Sequence, residues 1–473
     1  MYALVAIDVP LRTLFTYEIP LEFHGQLKPG MRVLAEFRRR KVIGLCMQLS
    51  DDLDPALKAT KIKPISEVLD EAPLVDEAYR EWLLFAAEYY GSPIGQVLSA
   101  ALPSYYLDTK ALERKKAPKA KELVFREGAG KDTTLTPEQQ EVFAAIHKKL
   151  NTFYPALMHG ITGSGKTEVY IQLIKASLEQ GKSALFLVPE IGLTPQMLAR
   201  LNHHFQGKLL VYHSGLTNNQ KLMQWQSCLK DEAKVMVGTR SALFAPFKDL
   251  GLIVIDEEHD SSYKQEDRFR YHTRDLAMRR AQKLEIPVVL GSATPSLEAY
   301  YQAQEKNYAY FRLENRVGKA SLPKIQVLNF GKEREQTGLP LLVSQGVHAA
   351  LDECHGAGKQ SMVFVGSRGY SQNAFCVSCE SLQTCPNCSV GLKYHKRINQ
   401  LQCHYCDYLH TFDEICQSCK VKALTLLGFG TQSIEEEIRS MHPKLKVARL
   451  DSDAANTPAK IHRILDDFQT RKT

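Results

Sequence analysis

Long apolar runs are missing from this chain of 473 residues. None approaches the ~18 residues of a membrane helix, so a helical membrane protein is not expected. The opening stretch MYALVAIDVP has neither the basic start nor the cleavage site of a secretory signal, and a cytoplasmic location is the expectation. A large excess of one charge is also absent: 60 Lys and Arg stand against 53 Asp and Glu, a net +7. That surplus permits a polyanionic partner such as nucleic acid but does not demand one. With 44% apolar and 24% charged residues, the composition excludes a mostly disordered or fibrous chain. At ~100–200 residues per domain, the length implies two to four domains.

Cysteine, by contrast, is concentrated. Eight of the eleven form four Cys-x-x-Cys pairs between Cys376 and Cys419. In a chain without a secretory start, that spacing points to metal rather than disulfides. Eight thiolates suffice for two tetrahedral zinc sites, which are expected to be structural because no ligand position is left open for water or substrate. Four pairs can combine into two sites in three ways. The gap of 14 residues between Cys388 and Cys403 is close to zinc-ribbon spacing. Cys385, Cys388, Cys403 and Cys406 are therefore expected to share one ion, and Cys376, Cys379, Cys416 and Cys419 the other. Cys46, Cys228 and Cys354 remain as buried apolar residues.

The chain changes texture along its length. Residues 1–105 read as short β-strands followed by a helix near DEAYREWLLFAAEYYG, a mainly-β N-terminal domain. The run Phe37-Arg38-Arg39-Arg40-Lys41 interrupts one hairpin and reads equally well as a solvated loop or a phosphate-contacting loop. Residues 106–134 are rich in lysine and are expected to form a charged linker, too short to fold alone. Over 135–335 the apolar strands PALMHG, ALFLVP, LLVYH, VMVGT, LGLIVID and PVVLGSAT alternate with amphipathic helices, which implies a parallel sheet covered on both faces. A second αβ pattern over 336–375 and 420–473 reads as a partial second lobe, split by the cysteine-rich insertion 376–419. ALTLLGFG and VARLD are its expected strands.

Gly160-Ile-Thr-Gly-Ser-Gly-Lys166-Thr167 fits GxxxxGK[ST] between a strand and a helix. Gly160, Thr162, Gly163, Ser164 and Gly165 would wrap the phosphates of ATP with backbone N–H groups. Lys166 would reach the β- and γ-phosphates, and Thr167 would offer its hydroxyl to Mg²⁺. Asp256 and Glu257 end an apolar strand 90 positions after Lys166. The first is placed to hold Mg²⁺ and the second to orient and deprotonate water, which implies hydrolysis. Ser292 and Thr294, in the turn Gly291-Ser-Ala-Thr-Pro295, stand where small hydroxyls could sense γ-phosphate, though a plain turn fits equally well.

These motifs, with VPEIGLTPQ at 188–196, GTRSALF at 238–244 and DEEHDSSYKQ at 256–265, closely resemble the superfamily 2 DNA helicases. Among them they resemble the PriA family of bacterial replication-restart helicases, and the cysteine pattern belongs to the same resemblance. It implies RecA-like P-loop lobes with a zinc-binding insertion and an N-terminal 3′-end DNA-binding domain. It also implies that Gln139 reads adenine, and that Arg240 and the aromatic-rich stretch Tyr263, Lys264, Arg268, Phe269 and Tyr271 contact DNA. Aromatic faces and interleaved cations suit unpaired strands. The nested pairing of the cysteines is the family's too. The implied activity is ATP-dependent 3′-to-5′ unwinding at stalled or forked DNA, with single-strand-binding and primosome proteins as partners, at the bacterial nucleoid. Three departures stand out. Phe15-Thr16-Tyr17 replaces the family's Phe-Asp-Tyr, which puts recognition of a 3′ hydroxyl in doubt. Residues 106–134 leave no room for a winged-helix domain. Residues 424–473 supply no counterpart of the last helicase motifs, so a truncated product that binds ATP but hydrolyses it weakly is expected, and a fork-binding platform is the alternative.

Overall fold

The computed structural model describes all residues except 58–60, 113–133, 191–192, 319–322, 330–332, 334–341, 366–371, 377, 380, 396–397, 428–430, 452–453, 456–457 and 472–473. Most of the lysine-rich stretch, Ile191 and Gly192 of VPEIGLTPQ, and the last three residues of ALTLLGFG therefore lie outside the described residues. The chain divides into two compact units, Met1–Leu322 and Pro323–Thr473.

The first unit opens with five antiparallel strands: β1 (Tyr2–Ala6), β2 (Phe15–Glu18), β3 (Arg32–Phe37), β4 (Arg40–Ser50) and β5 (Ile65–Val68). They lie in the order β2-β1-β4-β3-β5. Alternation of apolar residues along them puts Ala3, Val5, Val33, Ala35, Cys46 and Ile65 in one small core. The basic run is resolved as a hairpin turn: Phe37 pairs with Arg40, and Arg38 and Arg39 between them both have positive φ (46° and 63°). Two-residue hairpins favour that left-handed geometry because it matches the twist of the strands.

The helix Glu77–Tyr89 starts at Asp76, whose carboxylate accepts from Tyr79 N at 2.8 Å. Its buried face, Tyr79, Trp82, Leu83 and Ala86, follows helical spacing. That face docks on the α/β half of the unit. Tyr79 Oη donates to Phe244 O (2.7 Å) and Trp82 Nε1 to Leu276 O (3.0 Å). The buried Arg280 guanidinium lies over both rings while donating to Leu243 O and Ala245 O. Tyr106 and Ala111, expected in the linker, are buried, and the Tyr106 ring lies 5.0 Å from that of Trp225. The folded unit therefore extends at least to Leu112.

Seven parallel strands follow: β6 (Tyr154–Gly160), β7 (Ser183–Leu187), β8 (Leu209–Tyr212), β9 (Val235–Gly238), β10 (Leu250–Ile255), β11 (Pro287–Ser292) and β12 (Ala309–Leu313). Their order is β12-β6-β11-β10-β7-β9-β8. Successive residues of the central strands serve opposite faces: Leu185, Ile253 and Leu290 enter one core, Phe186, Val254 and Val289 the other. Helices on both sides cover them, so the strands are apolar throughout. The strand that the apolar pattern misses is β12. As the edge strand, half exposed, it reads AYFRL instead of a continuous apolar run.

In the second unit the helices Gln345–Gly356 and Thr431–Met441 pack through Leu351, Ile434 and Ile438. Five short strands, β13 (Gln372–Cys376), β14 (Lys393–His395), β15 (Gln400–Gln402), β16 (Leu409–Thr411) and β17 (Leu424–Leu427), form an antiparallel sheet in the order β16-β15-β14-β13-β17. This corrects one expectation. The strand in ALTLLGFG does not join a parallel second-lobe sheet but pairs with β13, Cys376 opposite Leu424. The outer cysteine pairs end β13 and precede β17, so gathering them holds the two crossings side by side. VARLD forms no strand, and no parallel pair occurs among the described residues of this unit.

A candidate nucleotide site and two metal centres

Gly160 closes β6, and the loop to Gly165 turns straight into the helix Lys166–Glu179. Gly165 has φ 79°, and a Cβ there would stand 2.4 Å from Gln139 Nε2, so both conformation and space require glycine. Lys166 is 8% exposed. Its Nζ donates to Gly160 O at 3.0 Å and lies 3.7 Å from Glu257 Oε1. The ammonium thus curls back over the loop towards the acidic end of β10. Thr162 and Gly163 are exposed and Thr167 is half-buried. Ser164 Oγ is buried with no hydrogen-bond partner. Gln139 is committed at both ends: Oε1 accepts from Thr136 N (2.9 Å) in a capping box, and Nε2 donates to Ser164 O (2.7 Å).

Asp256 Oδ1 accepts from Tyr170 Oη at 3.0 Å, and Asp256 O accepts from Tyr263 Oη at 2.7 Å. Gly291 makes the first bond possible, because a Cβ there would fall 1.5 Å from Tyr170 Oη. Burial pushes the Asp256 carboxyl up from 3.8 to about 6, the Glu257 carboxylate adds to the shift, and the Tyr170 hydroxyl and Lys166 oppose it. Glu257 has φ 45°, a left-handed conformation uncommon outside glycine and frequent at functional turns. Glu258 is buried: its carboxylate accepts from Ser296 N (2.7 Å) and Ser296 Oγ (2.9 Å) and lies 3.6 Å from Arg274 Nη1. His259 Nδ1 and Ser292 Oγ are 2.7 Å apart, and Ser292 Oγ accepts from Thr294 N (2.9 Å). The acidic turn and the turn after β11 are therefore one hydrogen-bonded assembly.

One cation, two neighbouring carboxylates and an orphaned buried serine hydroxyl thus gather at the C-terminal ends of parallel strands, with Thr167 following Lys166 in the helix. Such a set fits a metal-bound triphosphate. Tyr170, Arg274 and Ser296 escape the motif reading, and Glu258 stands in a motif without an assigned role. Only Tyr170 carries a local signal, one helical turn beyond Lys166.

Burial corrects several of the residues expected to meet DNA. Tyr263, Phe269 and Tyr271 are 1%, 1% and 4% exposed, with Phe269 and Tyr271 stacked on each other at 4.8 Å. They anchor the loop and offer no free face to a base. Tyr17 is likewise buried, and Phe15 packs edge-on against Phe37 at 4.9 Å. Arg240 Nη1 donates to Ser262 O and Lys264 O, holding the loop from beneath. Lys264 and Arg268, with Arg270, form its exposed cationic rim.

In the second unit Cys376, Cys379, Cys416 and Cys419 form one cluster and Cys385, Cys388, Cys403 and Cys406 another, the sulfurs of each within 4.8 Å of one another. Cys376–Cys419, Cys379–Cys416 and Cys385–Cys406 each have Sγ atoms 3.6 Å apart. Four thiolates at ~2.3 Å around a tetrahedral zinc require similar separations. The nested pairing is the one formed, and each set fits one zinc ion. Cys46 and Cys228 are buried, whereas Cys354 is partly exposed.

Three family models match: "3'DNA-binding domain (3'BD)" over residues 4–103, "DEAD/DEAH box helicase" over 136–303, and "PriA DNA helicase Cys-rich region (CRR) domain" over 385–409. Replication restart protein PriA of Haemophilus influenzae is 34% identical over 99% of this chain and 72% of its own length. The chain belongs to the PriA family. The PriA of Treponema pallidum is 35% identical over 98% of this chain and 69% of its length, and that of Bacillus subtilis 39% identical over 71% and 42%. The PriA signature thus spans the N-terminal sheet, the nucleotide-site lobe and the zinc module. Among the described residues no helix is long and apolar enough to cross a membrane.

Proposed function

We propose that this chain is an ATP-hydrolysing DNA helicase of replication restart. It would travel 3′ to 5′, engage stalled or forked DNA and seed primosome assembly at the bacterial nucleoid. The observation that carries the reading is the approach of Lys166 to Glu257, 3.7 Å apart beside Asp256. Phosphates entering the loop replace Gly160 O and Glu257 as partners of Lys166. Thr167 and Asp256 would hold Mg²⁺, which withdraws charge from the phosphates when bound. Glu257, freed from the ammonium, orients and deprotonates the attacking water. His259 and Ser292 carry any shift of that turn to the end of β11. Direction, fork recognition and the primosome and single-strand-binding partners rest on PriA family membership; the match of residues 4–103 to a 3′ DNA-binding domain supports DNA as the substrate. Binding by Phe15, the Lys264–Arg270 rim and the zinc module belongs to the same reading.

The test is ATP turnover with and without single-stranded DNA, alongside Lys166→Ala, and unwinding of forks with 3′ or 5′ tails. DNA-stimulated turnover lost in the variant, with 3′-tailed forks preferred, is expected. A wild type indifferent to ATP overturns the reading.

A further inference from the structure

The segment after β12 wraps the outside of the phosphate loop. Ile161 N donates to Leu313 O (3.2 Å) and Val317 N to Gly163 O (2.9 Å). The Asn315 side-chain amide donates to Glu138, next to Gln139. Between these ties Arg316 lays its aliphatic stem over Gly163: a Cβ added at that glycine would meet Arg316 Cγ and Cδ at 3.8 Å. Arg316 Nε is buried and has no hydrogen-bond partner among the described residues. Ser164 Oγ, on the same loop, is buried and orphaned too.

Buried guanidinium N–H groups are costly to leave unpaired, because the water they lose is not replaced. Two such orphans at one glycine-rich loop mark a place where an acceptor is supplied from outside the chain. The Lys166 ammonium lies against the same loop, 3.0 Å from Gly160 O, and two cations beside one loop call for an anionic acceptor.

We propose that Arg316 is a nucleotide-binding residue whose guanidinium donates to a phosphate oxygen of the nucleotide held by the loop. The assignment deepens the ATP reading above and rests on it. A planar fork of fixed donors suits phosphate oxygens. The position matters as well: Arg316 lies on the segment that leads to the end of the first unit at Leu322. Nucleotide occupancy would therefore be registered where the chain leaves the lobe.

The test is calorimetric titration of the full chain with ATPγS, ADP and adenosine, comparing wild type, Arg316→Met, Arg316→Lys and Lys166→Ala. Methionine keeps the stem over Gly163 and removes only the fork. ATPγS and ADP are expected to bind Arg316→Met about tenfold or more weakly, as for loss of one charge-assisted hydrogen bond. Lysine should recover part of the loss, with adenosine binding and melting temperature unchanged. Wild-type affinity in Arg316→Met while Lys166→Ala is impaired overturns this inference alone. Equal losses for adenosine and ADP overturn the phosphate assignment. A wild type that binds no nucleotide brings down the ATP reading and this inference with it.

Discussion

Asp256 and Glu257 are adjacent carboxylates with different surroundings. Asp256 is enclosed and bonded to Tyr170, with its carboxyl raised to about 6, whereas Glu257 stands in a left-handed turn facing Lys166. In the proposed reaction that difference suits Asp256 to holding charge and Glu257 to moving a proton. Glu257→Gln is expected to retain ATP binding and lose about 10²- to 10⁴-fold in turnover, measured by equilibrium binding beside steady-state kinetics. Asp256 makes the nucleotide-free protein and the loaded protein respond oppositely to acid. Its folded value lies above the ordinary 3.8, so the fold favours the protonated form. The stability it contributes is complete below about 4 and lost as pH rises through about 6. Magnesium needs the ionised form. Melting temperature without nucleotide should therefore gain, and Mg-ATP affinity fall, as pH drops from 7 towards 5. Asp256→Asn should flatten both profiles, and profiles identical to wild type would contradict the assignment. At this scale the sequence located residues that the structure gathers at the ends of β6 and β10, because phosphate chemistry restricts the residue types that serve it. It was a poor guide to Tyr263, Phe269 and Tyr271, since an aromatic ring that stacks on a base and one that anchors a loop are identical in sequence; only burial separates them.

At the scale of elements, the zinc module brings cysteine clustering and strand pairing together. Cys376 of β13 and Leu424 of β17 are 48 positions apart in sequence and face each other as antiparallel neighbours, where the outer cysteine cluster gathers the strand ends. Native mass spectrometry should find two zinc ions per chain, and one in Cys385→Ser. Since ligation contributes ~10–16 kcal/mol of apparent binding energy in small zinc domains, chelation should unfold the module. Amide exchange should then rise over 372–427 and stay unchanged over 154–187. The converse case is β12, whose place on the edge of the parallel sheet could not be read from AYFRL but brings Arg316 to the phosphate loop.

For the whole molecule, every residue proposed to touch nucleotide lies within Met1–Leu322. A fragment of residues 1–322 is accordingly expected to bind ATP within about threefold of the full chain, since contributions without shared partners add to within ~0.5 kcal/mol. Loss of binding in a folded fragment, judged by its thermal transition, would place part of the site in the second unit. Within the first unit the β-domain and the α/β lobe share one core through Tyr79, Trp82 and Arg280. The sequence by itself determined the alternation of strand and helix, the phosphate loop, the acidic strand end and the grouping of eight thiolates. Each of these depends on local spacing or on chemistry that few residue types can perform. Tertiary structure alone decided that β17 joins the zinc sheet, that the aromatic loop turns inward, that Tyr170 reaches Asp256 past Gly291, and that Arg316 covers Gly163. Those outcomes depend on which distant surfaces exclude water together, and no pattern within a single stretch records that.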